Sequence, residues 1–571
     1  MNETTIKQEN QPRPTVEIHL PAGRVLSGSR GTRLEVFFKA LPEWRHPQIV
    51  GAVVNGQLRE LTFPIRMDAS VTPLDITTPD GARIYRRSLT FLLEAAFEDL
   101  FPDAVLSVDH SVSSGGFFCE VINRSPMTDD ELSHLQNHMN SLVKQDIPFE
   151  RQEVPLDEAI DYFTTKGELE KVRLIKYRRK KHLILYNLQN HRDYHHGYMV
   201  PSTGYLKMFD LQNVGVGFVL RFTRRHKPDE LLPLPDSKQL FEAFIQYGNW
   251  LNRLGISSVG ALNDSIAEKN IQQIILVSEA LQEQKIAEIA RNIVNRREES
   301  HIVLIAGPSS SGKTTFSKRL TIQLLAHGIS PFPLEVDNYF VDREKTPLDE
   351  NGEYDFEVLA AIDTGLLSDH LKRLIEGQEV QLQHYNFKSG KSEPGDVVRL
   401  HKGQMIILEG IHGLNPRLLP GTPPGETIRL YVSCLTQLNL DRYNRISTTD
   451  TRLIRRIVRD ARERGYSAQE TIQRWESVRR GEKRHIFPYQ DNADDMFNSA
   501  LVYELSALKS HVEPLLRQVP FGTPEYIESK RLLAFLEWFL PIDEELIPDN
   551  SILREFIGKS ILSDFELWET R

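Results

Sequence analysis

The residues with the clearest chemical potential form one run. Gly307, Pro308, Ser309, Ser310, Ser311, Gly312, Lys313, Thr314 and Thr315 fit the phosphate-binding spacing G-x-x-x-x-G-K-[ST]. Glycines at 307 and 312 let the backbone curl until its N–H groups converge, and a helix starting there adds partial positive charge. The product is a nest for the oxygens of a polyphosphate, walled by Ser309, Ser310, Ser311 and Thr315. Lys313 then reaches the β- and γ-phosphates, and Thr314 offers a hydroxyl to Mg²⁺, a hard cation that takes oxygen ligands. Asp337 is suited to accept a proton from an attacking hydroxyl or to hold a magnesium-bound water. Glu409 supplies a second carboxylate, whose extra methylene suits contact with the metal through a water. Arg452, Arg455, Arg456 and Arg459 recur at spacings of three, four and seven, one face of a helix, and such a stripe can spread the charge of a moving phosphoryl group. The competing reading is a solvated helix laced with Asp460 and Glu463. On the first reading, Lys313, Asp337, Arg455, Arg456 and Arg459 are the expected catalytic group.

Each of these groups needs an element to hold it. The apolar run Ile302 to Ala306 enters the glycine loop as a strand, and Phe316, Leu320 and Leu324 give the helix that leaves it a buried stripe. A second strand, Phe332 to Val336, ends on Asp337. A third, Gln404 to Leu408, ends on Glu409. Carboxylates at the carboxyl ends of strands lie where open α/β sheets bind ligands. Ahead of the loop, Ile274, Val277, Leu281, Ile286 and Ile289 repeat at helical spacing. From about Ile271 onward the sequence predicts one α/β domain with a mainly parallel sheet.

The chain has 571 residues, which implies about three or four domains, with 40% hydrophobic and 26% charged residues, an ordinary globular composition. A formal charge of −10 argues against a protein that coats nucleic acid. Cys119 and Cys434 are the only cysteines, so neither a disulfide framework nor a cysteine zinc motif is expected. Residues 1–14 are polar and expected to be disordered, with no signal-peptide core. No apolar run reaches the roughly 18 residues of a membrane span. A cytoplasmic protein without membrane partners is the expectation.

The N-terminal half reads differently. Val16 to Leu20 alternate as a half-buried strand, and Val50 to Val54 followed by Asn55-Gly56 signals a hairpin. From Asp80 a helix begins, with Leu92, Ala95, Ala96 and Leu100 on its buried side. The run Arg178-Arg179-Lys180-Lys181 either touches RNA phosphates or is a solvated turn between two strands. His191, Asp193, His195 and His196 either gather a metal or form a polar surface loop. Pro228, Pro233 and Pro235 then break the chain, and Leu240, Phe244 and Trp250 return to helical packing. Residues 15–80 resemble a TGS domain, the ubiquitin-like module of threonyl-tRNA synthetases and some GTPases. The helix from Asp80, Gly115-Gly116-Phe117-Phe118 and Val200-Pro201-Ser202-Thr203-Gly204 place 81–265 as similar to the second additional domain that edits mischarged tRNA in those synthetases. That family's helical His-x-x-x-His pair falls on Arg87 and Phe91, and its Cys-x-x-x-His on His195 and Met199. The resemblance therefore implies the domain without zinc-dependent editing.

In 271–571 the phosphate loop, Asp337, Tyr354-Asp355-Phe356, His384-Tyr385-Asn386-Phe387, Leu408-Glu409-Gly410 and the stretch Arg455 to Asp460 occur in the order seen in the uridine kinase and phosphoribulokinase family. The resemblance implies ATP and Mg²⁺ as cofactors and transfer of the γ-phosphate to a hydroxyl. It makes Asp337 the base, also counted with Thr314 and Glu409 as a metal-site residue, and the arginine helix a mobile lid. Tyr339 and Tyr385 become acceptor contacts. Gly390 stands where uridine kinases carry a pyrimidine-contacting His, so the acceptor is a hydroxyl compound, with a nucleoside only one candidate. A GTPase switch would need Asn-Lys-x-Asp, which is absent. An RNA-binding regulator using ATP as a conformational ligand is the alternative. RNA contact by the N-terminal modules and homo-oligomerisation are left open.

Overall fold

Five short strands, the inner three rich in Ile, Val and Leu, form the sheet that positions the phosphate loop in the computed structural model, which describes residues 13–565 apart from 235–243, 245, 246, 249, 252, 350, 351, 353 and 437. Their order across the sheet is Pro331–Glu335, Met405–Glu409, Ile302–Ala306, Thr427–Ser433, Asp495–Asn498, and every neighbouring pair is parallel. Ile302–Ala306 is buried at all five positions, as expected of a strand covered on both faces. The chain visits one side of this central strand first and then the other, so a crevice opens at its carboxyl end. The helices Ile271–Asn295 and Lys313–Ala326 pack together beside it. Ile274, Ile286 and Ile289 of the first and Phe316, Leu320 and Leu324 of the second are buried, while Val277 and Leu281 are half-buried.

A hairpin of Glu379–Asn386 and Lys391–Arg399 stands as a separate two-stranded sheet. Gly390 sits in its turn at φ 71°, and a Cβ there would come within 2.8 Å of the Arg343 guanidinium. Backbone conformation and packing both demand glycine at this position.

The N-terminal unit starts with a sheet in the order Val25–Ser29, Thr15–His19, Ala69–Asp75, Ile49–Val54, Gln57–Glu60. Its first and last strands in sequence pair in parallel, and its other neighbours are antiparallel. Asn55 and Gly56 form the expected hairpin, both at positive φ, the conformation whose twist suits a two-residue connection. Thr78 caps the helix Pro79–Leu100 by accepting the Gly81 N–H. Beyond it lie a four-stranded antiparallel sheet ending on the edge strand Val105–Val112 and a three-stranded one of His191–Tyr194, His182–Leu188 and Glu150–Pro155.

The division of the chain departs from the expected boundaries. Residues 15–80 and 81–222 share one hydrophobic core, so they are one body, not two modules. The units separate at 236/237, not at 265/271, and two stretches of the C-terminal half, 439–445 and 520–531, fold with the N-terminal unit. The reason lies in their side chains. Asn439 donates to the carbonyls of Val108 and Asp109 at 3.3 and 3.2 Å, and the Val108 N–H donates to Arg442 O at 2.8 Å, covering the edge strand. Glu528 pairs with Arg83 and Arg531. The expected disordered tail falls mainly outside the described residues, as do Pro235 and Leu240. No helix among the described residues is long and apolar enough to cross a membrane.

Candidate active site

The glycine loop follows the central strand and is shaped by two left-handed residues, Ser310 at φ 59° and Gly312 at φ 84°. Such alternation turns successive N–H groups toward one concavity. A Cβ at Gly307 would lie 2.0 Å from Val432 O, so the neighbouring strand excludes any larger residue. Ser310 pays the strain of its conformation because its surroundings fix it: Arg455 reaches Ser310 O at 3.5 Å, and the Ser499 hydroxyl donates to Ser311 O.

Three chemical groups meet at the strand ends. The Thr314 hydroxyl donates to Glu409 at 3.0 Å, bringing together the two residues read as metal ligands. Burial raises the Glu409 carboxyl to about 7, against the pull of Lys313, with Glu555 and Glu335 adding to the rise. Asp337 opens to solvent, while desolvation by the surrounding protein raises its carboxyl above the usual range, again opposed by Lys313. Lys313 leans on Pro308 O at 3.4 Å. The fit to a hard cation rests on the oxygen donors Thr314 and Glu409, and the fit to phosphate on the nest and Lys313.

The arginine stripe divides. Arg455 is fully buried, bound to Glu504 and to Ser499 O at 2.9 Å, with its guanidinium 4.9 Å above the Phe556 ring. Arg452 is likewise buried, paired with Glu482 and donating to Ser309 O at 2.9 Å. Both brace the loop from behind. The helix Thr448–Glu463 is therefore anchored by two buried ion pairs, which corrects the expected mobile lid, and Arg455 is corrected from a phosphate-facing to a bracing residue. Arg456 donates to Ser309 Oγ at 2.9 Å, and Arg459 stands 3.6 Å from Asp460 and 3.9 Å from Glu555. These two, half-buried, are the ones left facing the loop.

Of the expected acceptor contacts, Tyr339 is a core residue. It is buried, and its hydroxyl meets His370 Nδ1 at 3.1 Å. Tyr385 lies in an aromatic group with Phe340, Phe356 and Phe387 at ring distances of 5.5, 6.4 and 5.0 Å. Sequence reading missed three carboxylates. Glu357, next to the quoted Tyr354-Asp355-Phe356, is raised to about 7 by burial and by Glu482, with Arg456 opposing and Asp337 adding to the rise. Gly481 makes room for it, since a Cβ there would come within 2.5 Å. Glu482 accepts the Ser309 N–H at 3.0 Å. Glu555 accepts both the N–H and the hydroxyl of Thr315, at 3.2 and 2.9 Å. Glu357 had a signal in its neighbouring motif; Glu482 and Glu555, 173 and 240 residues from their partners, had none.

His191 and His195 lie in a buried ionic cluster at the strand His191–Tyr194 and just after it, which corrects the expected surface loop; of the expected ligands, His191 and Asp193 come together and His195 and His196 do not join them. His195 Nε2 lies 3.1 Å from Glu94, His191 bridges Glu94 and Glu98, and Lys171 pairs with Asp193. Glu94, His191 and Asp193 are the only grouping among the described residues with ligand atoms close enough to share a metal, and His196 is not part of it. Burial alone would lower the His191 ring, but Glu94 and Glu98 outweigh it and raise the group to about 9. Burial likewise works against the Lys171 charge, and Asp193 and Asp441 more than restore it. Asn444 closes the cluster, donating to Tyr194 O at 3.0 Å and accepting the His196 N–H at 3.2 Å. Arg178 to Lys181 lie between the helix Leu169–Lys176 and a strand, not between two strands, with 179–181 exposed.

Residues 302–505 match the Phosphoribulokinase / Uridine kinase family. The N-terminal region matches threonine–tRNA ligases. The chain is 30% identical to that of Desulforamulus reducens over 200 residues, covering 35% of this chain and 31% of the ligase. It is 36% identical to that of Laribacter hongkongensis over 162 residues, 28% and 25% of the two chains. It thus spans between a quarter and a third of the length of these curated relatives. Among solved structures, it is similar to a possible uridine kinase from Bacillus stearothermophilus, at 18% identity and TM-score 0.25, covering 36% of this chain and 100% of that one. D-glycerate 3-kinase from Cryptococcus neoformans matches at 13% identity and TM-score 0.28, covering 37% and 90%. The match to the kinase family falls in the C-terminal half and the match to threonine–tRNA ligases in the N-terminal half.

Proposed function

We propose that the chain is an ATP-dependent small-molecule kinase that moves the γ-phosphate to a hydroxyl of a nucleoside-like acceptor, with the N-terminal half as a TGS-like and editing-domain-like body. The observation that carries this reading is the meeting of the loop, the Thr314 and Glu409 pair at 3.0 Å and the solvent-open Asp337 at the ends of adjacent parallel strands. Thr314 and Glu409 would hold Mg²⁺, which when bound neutralises charge on the phosphoryl oxygens. Asp337 orients the acceptor hydroxyl and takes its proton on a carboxylate oxygen, a task that its raised pKa favours. Lys313, Arg456 and Arg459 face the transferred group, and Arg452 and Arg455 keep the loop in shape.

The test is ADP release from Mg·ATP against a panel of nucleosides, sugars and other hydroxyl compounds. One class should raise release well above the rate with water alone. If none does while ATP still binds, the kinase reading fails. The alternative then stands: an RNA-contacting regulator for which ATP is a conformational ligand, supported by the match to threonine–tRNA ligases.

A further inference from the structure

The last helix of the described chain, Arg554–Ile557, lies against the phosphate loop. Ile552 and Phe556 are fully buried, the first at the contact that Gly312 leaves open and the second under the Arg455 guanidinium. Arg462 donates to Phe556 O at 2.9 Å and Glu555 O at 2.8 Å, and Lys318 donates to Leu562 O at 2.6 Å. This packing fixes the backbone and aims one side chain inward. Glu555 sets a carboxylate oxygen on the Thr315 N–H and hydroxyl, at the first turn of the helix Lys313–Ala326. In a loop of this type these donors lie toward the α-phosphate, while Lys313 serves the β and γ groups. A helix N-terminus that already holds a carboxylate has its anion site filled.

We propose that Glu555 is the resident occupant of the α-phosphate position, and that it makes the site selective for a ligand able to displace it. The proposal rests on the reading of the loop as a nucleotide site. A nucleotide brings several phosphate contacts and a metal, enough to expel one carboxylate. Inorganic phosphate or pyrophosphate brings fewer and is excluded. On displacement, the carboxylate turns toward Arg459, already 3.9 Å from its other oxygen. No backbone motion is needed, because the exchange involves one side chain on a packed helix. Glu555 thereby couples nucleotide arrival to the charge on Arg459, one of the two arginines that face the loop.

Calorimetric titration of the full chain with Mg·ADP and with pyrophosphate tests this, comparing wild type with Glu555→Gln and Glu555→Ala. Gln keeps the shape and removes the charge; Ala removes both. Each variant should bind Mg·ADP about tenfold more tightly or better, the scale of a lost charged hydrogen-bond competitor. Each should also gain pyrophosphate binding that the wild type lacks. Equal or weaker Mg·ADP binding in both variants, with unchanged melting temperature, overturns the role of Glu555 and leaves the nucleotide site intact. If neither wild type nor variants bind any nucleotide, the phosphate-loop reading falls and the proposal falls with it. A variant that melts early is replaced by Glu555→Asp, too short to reach Thr315, for which the same tightening is expected.

Discussion

The two clusters of buried charge in this molecule are built to opposite ends. Around His191 and Lys171 the carboxylates Glu94, Glu98 and Asp193 each face a cation, the His191 ring bridges two glutamates, and Asn444 bonds the Tyr194 carbonyl and the His196 N–H. Around Lys313 the charges are left poised. Asp337 opens to solvent, and Glu409 and Glu357 are both pushed to about 7 by burial and by like charges. Charges that already face opposite charges have most of their attraction satisfied, whereas carboxylates raised by burial beside a lysine retain a drive that a substrate or cation can relieve. The comparison shows that clustering of titratable groups does not by itself mark function. Whether their charges already face a partner separates the two clusters.

The contrast breaks most readily at Asp337. Asp337→Asn should reduce turnover by roughly 10² to 10⁴ while nucleotide affinity stays within about twofold, because on the proposed reading the nest, Lys313 and the metal carry nucleotide binding. Lys313→Ala should cost about 10² to 10³ with an unchanged melting temperature. Single-turnover transfer alongside calorimetric titration reads both. Wild-type turnover in either variant would remove these residues from the mechanism.

A smaller effect separates bracing from catalysis within one helix. Arg455→Ala leaves Glu504 buried and unpaired and should destabilise the C-terminal unit by about 3 to 5 kcal/mol. Arg459→Ala should leave melting nearly unchanged and lower turnover by about 10², less than a full arginine contribution because Asp460 and Glu555 share its charge. Denaturant melts and rates on both proteins decide the assignment. If the two variants show the same pattern, the division of the stripe is wrong.

The smallest effect belongs to the closed cluster. His191 is raised to about 9 from its ordinary 6.5, so its contribution to stability is complete below pH 6.5 and is lost as pH rises through 9. The N-terminal unit should therefore melt a few degrees lower at pH 9 than at pH 6.5, and His191→Gln should flatten that slope. An unchanged slope in the variant would move the titration to another group.

What could be read in the sequence follows the range of the physics. The loop, its strand and helix, and the strand-end carboxylates Asp337 and Glu409 are local: glycine conformation, apolar runs and their last residues announce them within a few positions. The hairpin at Asn55-Gly56 is legible for the same reason. The arginine stripe shows the limit, since periodicity gives the face of Arg452, Arg455, Arg456 and Arg459 but not the buried Glu482 and Glu504 that claim two of them. Tyr339 is similar: a tyrosine two residues from the proposed base invites a substrate role, and only the fold brings His370 to its hydroxyl. Glu555 and the stretches 439–445 and 520–531 lie farther out of reach. Their partners are hundreds of residues away, and no short pattern encodes that distance.

Those two stretches bear on how the protein is made. The first 236 residues leave the ribosome without Asn439, Asn444 or Glu528, so the edge strand Val105–Val112, the side chain of Arg83 and the backbone N–H of His196 wait for partners not yet synthesised. From residue 236 to residue 531 is 295 residues, about 15 to 60 s of elongation at bacterial rates. For that interval the nascent N-terminal half carries an open strand edge, and Arg83 has Asp80 but not yet Glu528 as a carboxylate partner. The N-terminal unit is not a finished product until the chain is nearly complete.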